Sequence, residues 1–92
     1  MKQFVVVAYD ISDNRRRRKI AKTLEQFGLR CNESVFECLL TEAKILKMKE
    51  KLSKLAVDRE DSILYYYLCL PCVMKRECIG RRPGFKPEIV VV

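Results

Sequence analysis

Phe4-Val5-Val6-Val7-Ala8-Tyr9-Asp10 is an apolar run that stops at an acid. β-Branched and aromatic residues with no polar alternation read as a strand covered on both faces, and so a central one. The predicted strand spans Gln3 to Tyr9, with Asp10 at its mouth. Just beyond, Ser12 or Asp13 can cap a helix, and Arg15-Arg16-Arg17-Arg18 opens it. Ile20, Leu24 and Phe27 recur at helical spacing and form its buried stripe. Gly28 is placed to end the helix in a left-handed turn.

Cations in a first helical turn oppose the helix dipole, so the arginine run does nothing for the helix itself. Helical rotation separates its members. Arg15, Arg18 and Lys22 fall away from the apolar stripe, whereas Arg16 and Arg17 lean toward the sheet and the end of the first strand. The plain alternative is a solvated face with Arg16 laid over the core.

Leu29–Asn32 and Ser34–Leu40 then read as a hairpin. Thr41 caps a second helix with Ile45, Met48, Leu52 and Leu55 inward and Lys44, Lys47, Lys51 and Lys54 outward, Glu50 pairing with Lys54. After the acidic turn Asp58–Asp61 comes a strand, Ser62–Leu70, in which alternation sends Tyr66 to the face opposite Tyr65 and Tyr67. The order β-α-β-β-α-β predicts an α+β, ferredoxin-like fold with both helices on one face of a four-stranded antiparallel sheet. Residues 1–92 read as a single domain, in which a basic Pro/Gly loop leads to an extra C-terminal strand, Glu88–Val92. A bare valine edge invites pairing, so that strand is expected on a sheet edge, either its own or that of a second subunit.

Composition narrows the chemistry. A net charge of +7 in 92 residues, with basic residues clustered in runs, implies polyanionic partners: nucleic acid first, an anionic membrane surface second. The first apolar run is too short for a signal or a membrane span. With five cysteines and no sign of secretion, reduced thiols in a cytoplasm are expected. Histidine is absent, which removes the commonest general base and any histidine-based triad. Catalysis by this chain would therefore fall to carboxylates, thiols, tyrosines, arginines or a metal. Asp10 could hold a hard cation such as Mg2+, with Asp13 nearby, and the guanidinium groups could hold phosphate oxygens. Strand-end aspartates are also common turn and helix caps. Cys69-x2-Cys72 with Cys78 invites a zinc reading, but only one CxxC unit is present, and ordinary buried thiols are the better reading.

The blocks Val7-Ala8-Tyr9-Asp10-Ile11-Ser12-Asp13, Arg15-Arg16-Arg17-Arg18-Lys19-Ile20, Gly28-Leu29-Arg30 and Ser34-Val35-Phe36-Glu37 together resemble the small CRISPR-associated adaptation proteins of the Cas2 family. The resemblance covers the whole chain and is strongest in its first 40 residues. Asn32 departs from it, standing where many members carry glutamine. The resemblance implies a homodimer whose last strand packs on the partner, double-stranded DNA as a ligand, and a spacer integrase bridged by the dimer. It also implies a metal-dependent nuclease activity on RNA or DNA with Asp10 as catalytic residue and ligand to Mg2+ or Mn2+. Arg15, Arg16, Arg17, Arg18, Lys22 and Arg30 would contact nucleic acid, and Tyr9, Asp13 and Phe36 would support the site or the dimer. Three functions compete on this reading: a DNA-bridging scaffold in spacer acquisition, an endonuclease on paired Asp10 residues, and a ribonuclease toxin of the same fold.

Overall fold

A computed structural model describes residues 1–81. The element order is β1 (Lys2–Asp10), α1 (Asn14–Leu24), β2 (Gly28–Asn32), β3 (Val35–Thr41), α2 (Glu42–Leu55), β4 (Ser62–Leu68) and α3 (Leu70–Met74). The four strands form one sheet in the order β2-β3-β1-β4, with every neighbouring pair antiparallel. This is the ferredoxin-like arrangement. β1 is central, as its unbroken apolar run requires: Val7 stands opposite Phe36 on one side and Tyr65 on the other.

Alternation along the strands divides the sheet into two faces. Val5, Val7 and Tyr9 of β1 and Phe36, Cys38 and Leu40 of β3 point to the helices. There they meet Ile20 and Leu24 of α1 and Ile45, Met48 and Leu52 of α2. Ile63 and Tyr65 of β4 pack against the edge of this core. Lys49 stands over both Tyr65 and Tyr67, at 5.2 and 5.5 Å from the ring centroids, so these two rings share a face and Tyr66 takes the other.

Each long helix has the cap its sequence offers. Of the two candidates before α1, Asp13 is the cap, its side chain accepting from the Arg16 N–H. Thr41 does the same for α2 through the Lys44 N–H. Glu50 and Lys54 pair at 3.8 Å on the exposed side of α2.

Three details differ from the sequence reading. Gly28 does not close α1 with a left-handed residue; it is the first residue of β2, and the chain turns through Glu25–Phe27. Its requirement is spatial: a Cβ there would fall on the Glu37 carbonyl oxygen and the Cys38 sulfur. β4 stops at Leu68 rather than Leu70, because Cys69 turns the chain into α3, with Pro71 in its first turn. The thiols are not uniformly buried: Cys38 is buried and Cys31 half-buried, but Cys69, Cys72 and Cys78 are exposed. The expected strand 88–92 lies outside the described residues.

Candidate nucleic-acid interface

Asp10 ends β1, opposite Ser62 of β4, and its side chain is exposed. The neighbouring carboxylates are already engaged. Asp13 holds the first turn of α1, and the hydrogen bond from the Arg16 N–H keeps its carboxyl below the usual range. Asp61 takes both arms of one guanidinium, from Arg16 Nε at 2.9 Å and Nη2 at 3.0 Å. It also accepts from the backbone N–H groups of Val57 and Ser12. These donors, Arg16 foremost, hold the Asp61 carboxyl well below the usual carboxylate range. Arg16 further reaches Glu60 at 3.3 Å. Among the described residues no three acids or thiols gather as a metal site.

The arginine run thus divides as helical rotation requires. Arg16 turns inward and ties α1 to the loop before β4. Arg15 and Arg18 are exposed, and with Lys19, Lys22, Glu25 and Arg30 they line a hollow of about 510 Å3. Arg17 is half-buried and lines a second hollow, of about 360 Å3, with Arg18, Tyr9, Arg30 and Glu33. Arg18 and Arg30 line both hollows, which makes one continuous cationic surface along α1 to β2.

Tyr9 and Phe36 brace that surface from below. Their rings stack at 6.3 Å, and the Arg30 guanidinium stands 5.1 Å over Phe36. The Tyr9 hydroxyl and Arg30 Nη1 both donate to the Glu33 carbonyl, each at 2.9 Å. Burial raises the Tyr9 phenol, with Arg30 and Arg17 opposing, so it remains a donor at neutral pH. Because Tyr9 immediately precedes Asp10, this bracing also fixes the direction in which β1 ends.

The structure therefore gathers Arg15, Arg17, Arg18, Lys22, Arg30 and Tyr9 along one surface and sets Arg16 apart in an ion pair. Two participants escaped the sequence reading. Lys19 lines the larger hollow, and its spacing of four from Arg15 and three from Lys22 was the available signal. Asp61 belongs to an acidic turn in sequence, and nothing local announces its partner.

Known proteins are similar to this chain in both sequence and backbone. The sequence profile of the CRISPR associated protein Cas2 family matches residues 1–76. A CRISPR-associated endoribonuclease Cas2 of Synechocystis is 40% identical over 87 residues, covering 95% of each chain. One from Chloroflexus aurantiacus is 44% identical over 81 residues, 87% of each chain. Among solved structures, a hypothetical protein from Thermus thermophilus superposes with a TM-score of 0.81 at 32% identity, over 90% of this chain and 96% of that one. Cas2 of Streptococcus pyogenes gives 0.76 at 32% identity, over 84% and 99%. With sequence and backbone agreeing over nearly its whole described length, the chain belongs to the CRISPR associated protein Cas2 family.

Proposed function

We propose that the protein is a dimeric nucleic-acid-binding component of CRISPR spacer acquisition that holds duplex DNA and bridges integrase subunits. The observation that carries this reading is the cationic surface of α1, where Arg15, Arg18, Lys19 and Lys22 share a hollow with Arg30. In a chain of net charge +7, such a surface attracts a phosphate backbone whatever its sequence. The dimer is the part of the reading that the sheet supports. On the face away from α1 and α2, Leu29, Leu64 and Tyr66 are 45%, 51% and 52% exposed. A second copy stacked there would cover them and double the basic surface. No helix among the described residues is long and apolar enough to cross a membrane, and the proposed place of action is the cytoplasm.

A second reading is a metal-dependent endonuclease acting on RNA or DNA. It is favoured by the exposure of Asp10 and by the endoribonuclease activity in the names of the curated relatives. The donor set fits such a metal only in a pair of chains, since Asp13 and Asp61 are held by the α1 cap and by Arg16. Two Asp10 carboxylates would be enough for Mg2+ or Mn2+, which keep several waters. Bound there, the metal would polarise a phosphoryl oxygen and acidify a water.

Asp10→Asn separates the readings, because it removes a charge with little change of shape. Duplex affinity and spacer acquisition should be unchanged in the variant. Cleavage of labelled RNA or DNA, where wild type shows any, should vanish both in the variant and with EDTA. Loss of spacer acquisition in a folded, DNA-binding Asp10→Asn protein would favour the enzyme over the scaffold.

A further inference from the structure

The cationic surface makes no use of Cys69-Leu70-Pro71-Cys72. These residues form the junction between β4 and α3. The Cys69 carbonyl accepts from the N–H groups of Cys72 and Val73, at 3.0 Å each. That turn brings the two side chains together, with their sulfurs 3.3 Å apart and both residues exposed. Pro71 restricts the backbone between them, so little chain freedom remains to be lost on bonding.

The other thiols lack this combination. Burial, with Glu37 adding to it, pushes the Cys38 thiol up to about 11. Burial and Glu37 likewise push Cys31 up to about 12. Neither ionises appreciably at neutral pH. Cys78 is exposed, and its sulfur lies 3.1 Å from the Arg81 carbonyl oxygen rather than against a second thiol. Cys69 moves the opposite way from the buried pair: the Cys72 N–H, then the Cys72 thiol, lower it. Cys72 is raised by the same sulfur contact. The 3.3 Å sulfur contact thus lowers one thiol and raises the other, an asymmetry that favours Cys69 as the attacking sulfur.

We propose that Cys69 and Cys72 form a thiol–disulfide exchange site whose co-substrate is a low-molecular-weight disulfide. The Cys69 thiolate attacks one sulfur of that disulfide. A mixed disulfide forms, the co-substrate S–S bond breaks, and the departing thiolate takes a proton from water. Cys72 then gives its proton to water and attacks the Cys69 sulfur, the mixed S–S bond breaks, and the second small thiolate leaves and takes a proton from water. Two electrons pass from the protein dithiol to the co-substrate, which leaves as two thiols.

Closure of the pair staples the junction that carries α3. Beyond it lie the buried Val73 and Arg76, which pairs with Glu37 and stands 4.8 Å over the Phe4 ring. Oxidation therefore stiffens a strap attached to the sheet face opposite α1 and α2.

The full chain equilibrated in glutathione buffers of graded redox poise, then alkylated and mapped by mass spectrometry, tests this. In oxidising buffers it should lose two of its five alkylatable cysteines, yield a Cys69–Cys72 linked peptide, and recover fully on reduction. Cys72→Ser should stop at one glutathione on Cys69, and Cys69→Ser should form no linked peptide. A wild-type chain that keeps all five thiols, or that links Cys78 instead, overturns the proposal. So does a Cys72→Ser chain that takes glutathione on Cys78 as readily as on Cys69.

Discussion

Arg16 donates to both oxygens of Asp61 while its three arginine neighbours in sequence make no such pair among the described residues. The difference is one of rotation about α1, and it turns one member of a basic run into a tie between the helix and the loop before β4. The partner lies 45 residues away, so the run and its rotation about α1 were legible in the sequence and the pairing with Asp61 was not. The pairing has a pH signature. An aspartate held below its ordinary value, about 3.9, stabilises the fold fully above that value and loses the contribution as pH falls below it. Asp61→Asn should therefore flatten the acid side of the stability profile, read as urea midpoints below about pH 4 against those near neutrality. A variant with the wild-type acid slope would show that the clamp contributes nothing. Asp10, in contrast, was legible as an acid at a strand mouth, because a short apolar run with a polar stop leaves little choice of position.

At the scale of elements, period and pattern carried most of the fold. The unbroken run of β1 announced a central strand, and the spacing of Ile45, Met48 and Leu52 announced the inner face of α2. Two short features were beyond such reasoning. α3 has five residues, too few for a helical period to be seen, and the strand expected over Ser62–Leu70 takes in only the first of them. The position of Gly28 after a helical stripe suggests a backbone role, whereas its constraint is the close approach of β3, which only the paired strands reveal. Gly28→Ala should force β2 away from β3 and destabilise the protein by about 1–3 kcal/mol, as overpacking does. Denaturant unfolding checks this, and an unchanged midpoint at unchanged slope would mean that the β2 edge yields freely. Because Arg30 is carried by β2, the same variant should also weaken the cationic surface.

The whole molecule sets two surfaces on opposite sides of one sheet. α1 presents cations on one side, and the other leaves apolar residues of β2 and β4 exposed. If that second face joins two copies, Tyr66→Glu should give a folded monomer by sedimentation velocity, since a charge would be buried without a partner. A variant that stays dimeric would place the dimer contact elsewhere. The cations are the central matter, because they carry the proposed function. Duplex binding by α1 should be electrostatic and indifferent to sequence, and each phosphate contact contributes roughly one unit to the slope of log affinity against log salt. The most direct test measures that slope on several unrelated duplexes for wild type and for Arg15→Gln/Arg18→Gln. The double variant should bind all of them more weakly, with a slope shallower by about two units. An unchanged slope, or a loss confined to one sequence, would contradict the assignment of DNA binding to this surface.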